Sequence, residues 1–366
     1  MTTETAPAKG YLDYRPELDG LRGVSLFGIM WFHVQEFSDI PKYHGGFHTL
    51  DIFFVLSGYL ITTLLIREWD KNGSIHLGNF YARRGLRLLP ALFITIPFGA
   101  LVVALAAEPF ARPYWQSALA AVSYVANWLQ IQKDILPLSH TWSLSVEEQY
   151  YLLWSAFLVI ALRRGLRFRG LGTLALLVAA AMAVARYFAF ETGNANFAVL
   201  STFTRPDAVL IGSALALLLA DIPQRIRKLI ARPGVGALAL LLVLLTTFVM
   251  HWRDPIYYKG GLTVFNLLTA ALIAHMLLAE RSPARGFFSF RPFASFGRIS
   301  YGVYLFHVPM VFLIVGHPAR HIGFPLVVLY FATSIGMGAA SWLLVERNAL
   351  KLKSRFGSMS RMPVRA

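Results

Sequence analysis

Two ionisable residues, Arg22 and His33, lie in an otherwise apolar stretch near the start of the chain. An α-helix turns about 100° per residue, so this spacing returns both side chains to one face, about 16 Å apart along the axis. That distance is about half the hydrocarbon thickness of a bilayer. A guanidinium holds anions, and an imidazole exchanges protons near neutral pH. The pair predicts a charged ligand near one membrane surface and proton chemistry further across.

The chain that carries this pair is strongly apolar. Of its 366 residues, 56% are hydrophobic and 14% are charged, and apolar runs of about 17 to 22 residues recur throughout. We therefore predict an all-α protein, a polytopic integral membrane bundle of about ten transmembrane helices in a bacterial inner or plasma membrane, with the lipid bilayer as its partner. The chain contains no cysteine, which excludes disulfides and thiolate nucleophiles.

Ten apolar runs are the predicted spans, at about 20–38, 47–66, 88–107, 145–162, 171–190, 207–221, 235–251, 262–280, 299–316 and 324–345. Basic residues concentrate in the loops after the second, fourth, sixth and eighth spans and at the C-terminal end. The positive-inside rule then puts these loops and both termini in the cytoplasm. This distribution accounts for most of the net charge of +15, so no nucleic-acid partner is expected. Residues 117–131 are apolar over too short a length for a span and are predicted to be re-entrant or interfacial on the outer side.

The predicted topology groups several polar residues with His33 in the outer half of the membrane. Asp51 begins the second span, and the fourth span begins with a polar segment that contains His140, Glu147, Glu148 and Gln149. A lone histidine in a span is usually structural, but the shared face with Arg22 and the nearby carboxylates favour catalysis. The two glutamates point about 100° apart on a helix, so either one could serve.

Other motifs allow two interpretations each. Arg84 and Arg87, with Arg83, lie at the inner mouth of the third span and could anchor the helix or clamp a phosphate. Tyr304 and His307 share a face of the ninth span and could be structural or catalytic. Arg205 and Asp207 could form an outer ion pair or bind the acceptor. Ser57 and Gly58 are predicted to allow close helix packing. No metal is expected, because Gly45 and Gly46 place His44 and His48 in a loop.

Five segments, in order, resemble the acyltransferase 3 family of integral membrane acyltransferases: RPELDGLRGVSLFGIMWFH, LDIFFVLSGYLIT, FYARRGLRLLPAL, HTWSLSVEEQYYLLW and SYGVYLFHVP. The resemblance covers about residues 13–345. It implies a ten-helix domain that moves an acyl group, often acetyl, from cytoplasmic acyl-CoA to hydroxyls of extracytoplasmic glycans or lipid-linked glycans. Some relatives instead acylate small molecules. We therefore expect one membrane acyltransferase domain over residues 1–366, ending in a short basic cytoplasmic tail at 346–366.

The resemblance also implies roles for individual residues. Arg22 and His33 match the family's arginine–x10–histidine motif, and Arg84 and Arg87 match its R-x-x-R motif. The CoA phosphates would then be held by Arg84 and Arg87 with Arg83. His33 would act as general base or, less simply, accept the acyl group. Glu147 or Glu148 would orient the imidazole ring of His33, and Asp51 would help to position it. The residues expected at the substrate are His140, Trp142, Ser143, Gln149, Tyr304 and His307.

Two questions stay open at this stage. Many larger members carry a C-terminal SGNH hydrolase-like domain, which we do not expect here, and we therefore expect either direct transfer or a separate protein that receives the acyl group. A transporter or flippase for a glycan or lipid intermediate is the competing class, because ten spans with a polar interior also suit alternating access. The spans show no two halves with matching interruptions, which favours the enzyme.

Overall fold

The computed structural model describes residues 14–105, 114–133, 137–316 and 321–356. Regular structure in these ranges is helical, and the β-pairing there is limited to one isolated bridge between Ser38 and Ile322. The predicted all-α class is therefore confirmed for the described part of the chain.

Seventeen α-helices follow one another along these ranges. The first nine are α1 Pro16–Gln35, α2 Thr49–Asn72, α3 Leu77–Leu105, α4 Tyr114–Val122, α5 Ala126–Gln132, α6 Thr141–Arg163, α7 Phe168–Glu191, α8 Ala195–Leu200 and α9 Asp207–Ala220. The others are α10 Gln224–Ile230, α11 Pro233–Val249, α12 Leu262–Leu278, α13 Pro283–Phe288, α14 Arg291–Arg298, α15 Ser300–Val315, α16 Phe324–Ser341 and α17 Arg347–Lys351. Short 3₁₀ or π segments lie at His44–Gly46, Tyr257–Gly261, Trp342–Glu346 and Leu352–Phe356.

Length and apolar composition identify several helices that can cross a bilayer. Five qualify within the described ranges, or seven when two bent pairs, α10 with α11 and α14 with α15, each count as one span. Helices α1 and α6 have 20 and 23 residues but carry charged side chains that lower their apolar character. The chain is thus a multi-pass membrane protein, while ten spans and cytoplasmic termini stay predictions.

The short apolar segment at 117–131 forms two helices instead of one. Helices α4 and α5 have nine and seven residues and are separated by a break at Tyr124, whose φ is 54°. A helix of nine residues is only about 14 Å long, so neither one crosses a bilayer alone.

Helices α2 and α9 pack with their backbones close together. A Cβ atom at Gly58 would overlap the carbonyl oxygen of Val209, and one at Gly212 would overlap that of Val55. Small residues allow such close approach between helices in lipid, where van der Waals contact drives association. The predicted packing role of Gly58 is confirmed, and this contact fixes the position of the helix that begins beside Asp51.

Two predicted boundaries were wrong because polar residues extend the helices. Helix α3 begins at Leu77, eleven residues before the predicted start at 88, and therefore carries the arginine cluster in its first turns. The first part of the predicted tail is also helical: α17 and the 3₁₀ segment Leu352–Phe356 pack against α3.

Candidate active site

A small cavity lies beside His33, between α1, α2, α6 and α15. Its volume is about 20 Å³, which is room for about one water molecule. It is lined by Ile29, Phe32, His33, Phe47, Leu50, His140, Trp142 and Tyr304. The structure thus brings together four residues that the sequence predicted for the reaction centre.

Three imidazole rings lie together here, and two of them, those of His33 and His140, line the cavity. The ring centroids of His33 and His307 are 4.9 Å apart, and those of His140 and His307 are 5.2 Å apart. Each ring has one nitrogen bound to a backbone carbonyl: Nδ1 of His33 to Ile29 at 2.9 Å, Nε2 of His140 to Leu305 at 3.1 Å, and Nδ1 of His307 to Tyr304 at 2.5 Å.

Those carbonyl partners fix the tautomer of each neutral imidazole. A carbonyl oxygen can only accept, so the bonded nitrogen carries the proton and the other nitrogen keeps a lone pair. The lone-pair nitrogens of His140 and His307 are buried and have no hydrogen-bond partner in the described ranges. His33, which is half-buried, presents its Nε2 lone pair as a proton acceptor beside the cavity.

Tyr304 and Ser143 hold His140 in place. The Tyr304 hydroxyl donates to the backbone carbonyl of His140 at 2.8 Å, and the Ser143 hydroxyl lies 2.5 Å from the Tyr304 oxygen. With its own proton used, the Tyr304 oxygen accepts from Ser143. Helices α6 and α15 are thereby joined at the level of the three histidines.

A second polar centre lies near Arg22, toward the other end of α1. Arg84 forms a two-point ion pair with Glu148, in which its Nε lies 3.2 Å from one carboxylate oxygen, and its guanidinium lies 3.8 Å from the Tyr151 ring centroid. The prediction that Glu148 lies at the level of His33 was wrong. Helix α6 begins just after His140, which lines the cavity with His33. Glu148 is eight residues further along, about 12 Å of helix, and therefore lies at the arginines.

Three cations at this second centre are not bonded to an anion in the described ranges, although the charge of Asp19 acts on two of them. Arg22, Arg87 and Lys353 make no hydrogen bond or ion pair with any residue that the structure describes, although Arg22 lies 5.7 Å from the Phe53 ring centroid. The charges of Arg22 and Arg84 lie close enough to act on Arg87, as does that of Asp19. Arg87 is also exposed. We call Arg22, Arg84, Arg87 and Lys353 the cation cluster.

Lys353 was missed by the sequence analysis. It lies in the segment Leu352–Phe356, which returns to α3 after the last long helix. Burial, with the charges of Arg87, Arg84 and Arg83, lowers the pKa of Lys353 to about 8. Its position depends on contacts between residues far apart in sequence, and only a run of basic residues in the tail could have hinted at it.

Arg83 has a different environment from its neighbour Arg84. Its guanidinium is 3.0 Å from Glu68 and donates to the backbone carbonyl of Phe356 at 2.8 Å. Arg83 therefore attaches the C-terminal segment to α2 and α3, and both its contacts are already within the protein.

Asp51 lies outside the lining of the cavity. Both its carboxylate oxygens bind Arg205, at 2.6 and 2.9 Å, and both side chains are fully buried. The predicted pair of Arg205 with Asp207 was wrong, because Asp207 binds Arg186 at 2.8 Å instead. Each of these partners lies in a different helix or loop, so the sequence offered no spacing that could pair them.

Glu147 and Gln149 also lie away from the cavity lining. Glu147 is beside Ser57, Arg84 and Arg22, which is closer to the cation cluster than was predicted. Gln149 donates to the carbonyl of Tyr124 at 2.6 Å and to Asn127, and thus supports the turn between α4 and α5. No group of three or more His, Cys, Asp or Glu in the described ranges is arranged to hold a metal ion.

Comparison with known proteins identifies the family of the chain. The family model for an acyltransferase domain, acyltransferase 3, matches residues 15–346. The chain belongs to this family. The matched range contains the three histidines and all of the cation cluster except Lys353. The match confirms the predicted acyltransferase class.

Curated relatives agree with this membership. The peptidoglycan O-acetyltransferase OatA of Listeria monocytogenes is 32% identical over 318 residues, covering 82% of this chain and 50% of the relative. The O-acetyltransferase OatA of Staphylococcus aureus is 32% identical over 312 residues, covering 81% of this chain and 51% of the relative. The chain thus spans about half the length of the curated relatives it matches. No solved structure matches it.

Proposed function

We propose that this acyltransferase 3 family member transfers an acetyl group from acetyl-CoA, bound at the cation cluster, to a hydroxyl group of a glycan on the outer side of the membrane. The relatives named O-acetyltransferases favour acetyl and, through the peptidoglycan enzyme, a glycan acceptor. The arrangement of α1 supports two separate substrates, since its ends carry a cation and an imidazole about 16 Å apart.

The observation that carries the proposal is the tautomer of His33. Its Nδ1–H bond to the Ile29 carbonyl leaves Nε2 as a base beside the cavity. The acceptor hydroxyl gives its proton to Nε2 as its oxygen forms a bond to the thioester carbonyl carbon. The carbon–sulfur bond then breaks, and the imidazolium returns the proton to the CoA thiolate. The products are an acetyl ester and free CoA.

The donor end is suited to phosphates. Arg22, Arg87 and Lys353 provide three cationic groups that make no hydrogen bond or ion pair within the described ranges, and Arg84 is oriented by Glu148 and Tyr151. Guanidinium groups bind phosphate through paired hydrogen bonds. In this proposal Arg83 acts indirectly, because it holds the segment that carries Lys353. Glu148 is the positioning partner of Arg84, and Asp51 keeps α2 in register through Arg205.

The test compares two histidine substitutions in membranes supplied with radiolabelled acetyl-CoA and de-O-acetylated cell-surface glycan. His33→Ala should lower glycan acetylation by about 10²- to 10⁴-fold, the usual contribution of a general base. His321→Ala is the matched control, because His321 is exposed and lies outside both centres. Equal membrane yield of both variants rules out a folding defect. Undiminished acetylation by His33→Ala would disprove the role of His33.

A further inference from the structure

Aromatic rings in contact lead from the connection after α11 to the histidine cavity. Trp252 lies in the connection between α11 and the π segment Tyr257–Gly261, and its ring centroid is 5.4 Å from that of Phe47. Phe47 lines the cavity and is 6.4 Å from Trp142 in a stacked orientation. We call Trp252, Phe47 and Trp142 the aromatic route.

Polar groups that can recognise hydroxyls flank the surface end of this route. The rings of His44 and His251 have centroids 4.6 Å apart, and His251 is 6.1 Å from Trp252. Nδ1 of His251 accepts a hydrogen bond from the backbone N–H of Arg253 at 2.9 Å. The proton of its neutral ring is therefore on Nε2, which makes that nitrogen a donor.

The charge of this region suits a neutral ligand. Burial lowers the pKa of His251, which favours its neutral ring. Arg253 lies 4.9 Å from the Trp252 ring, and the next residue, Asp254, carries the opposite charge and accepts a hydrogen bond from the backbone N–H of His251. Flat aromatic faces beside neutral donors and acceptors match a sugar ring, which has apolar C–H faces and a rim of hydroxyls.

We propose that Trp252, His44 and His251 form the outer binding site for the acceptor glycan, and that the aromatic route guides one sugar hydroxyl to His33. The proposal rests on the function proposed above and names the entrance of its acceptor. The ligand is an uncharged stretch of a glycan chain, with one sugar ring on Trp252 and the next toward Phe47. The basic loops, and with them the cation cluster, belong to the opposite membrane surface under the positive-inside rule.

The experiment measures kcat/KM for the strain's own de-O-acetylated cell-surface glycan in membranes with radiolabelled acetyl-CoA. Trp252→Ala should lower this value by roughly tenfold through loss of ring contact. Trp252→Phe keeps an aromatic face and should recover most of it. Trp115→Ala is the matched control, because Trp115 is exposed and lies outside the aromatic route. The KM for acetyl-CoA should stay unchanged in all three variants.

The outcomes separate this inference from the proposed function. An unchanged kcat/KM for Trp252→Ala, beside an inactive His33→Ala, would overturn the entrance and leave the catalytic proposal intact. A rise in the acetyl-CoA KM with Trp252→Ala would also overturn it, since the site would then serve the donor. Wild-type membranes that acetylate only non-glycan acceptors would overturn the glycan assignment itself.

Discussion

The strongest quantitative prediction concerns the pH dependence of donor binding through Lys353. Burial and three neighbouring arginines give this lysine a pKa of about 8, well below the usual value of about 10.4. A lysine is charged below its pKa and neutral above it. If the charged amine binds a CoA phosphate, the Michaelis constant for acetyl-CoA must rise as pH increases through 8.

The size of the effect follows from the charged fraction of Lys353. With a pKa of about 8, this fraction falls from about 0.9 at pH 7 to about 0.1 at pH 9. The Michaelis constant should therefore rise by up to roughly tenfold across that interval, provided that the neutral amine contributes no binding. The value for kcat should change less, because Lys353 lies at the cation cluster and not at the histidines.

Steady-state kinetics in membranes between pH 7 and 9 test this prediction with two variants. Lys353→Arg keeps its charge over the whole range, so its Michaelis constant should stay low and flat. Lys353→Met has no charge, so its constant should be high and flat. A wild-type constant that does not change with pH, or one that Lys353→Met leaves unaltered, would refute the donor-binding role.

Two further comparisons of variants test the assignments of paired and unpaired charges. Arg87→Ala should raise the Michaelis constant for acetyl-CoA by about 10- to 100-fold. It should leave the thermal unfolding midpoint unchanged, because Arg87 makes no hydrogen bond or ion pair in the described chain. Arg84→Ala should raise the same constant and also lower the unfolding midpoint, since it leaves Glu148 unpaired. Arg205→Met should destabilise the fold by about 3–5 kcal/mol by leaving Asp51 buried and unpaired, and Asp51→Leu with Arg205→Met should recover most of that loss. Unfolding in detergent measures the stability of the single and double variants. A double variant that folds but is inactive would indicate a direct catalytic role for Asp51.

Apolar runs were enough to predict where most helices lie. The predicted spans 171–190 and 207–221 differ from α7 and α9 by at most three residues at either end. The predicted boundaries were wrong where polar side chains continue a helix, as at the start of α3. The partners of these polar side chains come from other helices. Hydropathy averages a segment's composition and carries no information about which neighbour will satisfy an arginine.

The site was predictable only in part for the same reason. The face shared by Arg22 and His33 follows from helix geometry, and the meeting of His33 with His140 was expected from topology. The pairing of Arg84 with Glu148 was not, because it requires α6 to start beside the cavity and run back toward the arginines. Lys353 was missed since its position depends on Arg83 binding the Phe356 carbonyl.

The proposed transfer from a cytoplasmic donor to an outer glycan requires the cation cluster and the aromatic route to lie on opposite sides of the membrane. The chain contains no cysteine, so one introduced cysteine reports its own location. Arg253→Cys lies beside Trp252, Arg355→Cys lies in the segment that carries Lys353, and both positions are exposed. A membrane-impermeant maleimide should label Arg253→Cys in intact cells and Arg355→Cys only after permeabilisation.

Arg253 lies against the Trp252 ring, so the fold of Arg253→Cys is checked by its membrane yield. Arg355 makes no contact with either centre, so Arg355→Cys should acetylate glycan normally and thereby confirm its own fold. Labelling of both cysteines from the outside would place donor and acceptor on one surface. The separation of about 16 Å between Arg22 and His33 would then no longer correspond to a path across the bilayer. In that case an acetyl group could not be carried from a cytoplasmic donor to an outer glycan by this arrangement, even if His33 proved essential.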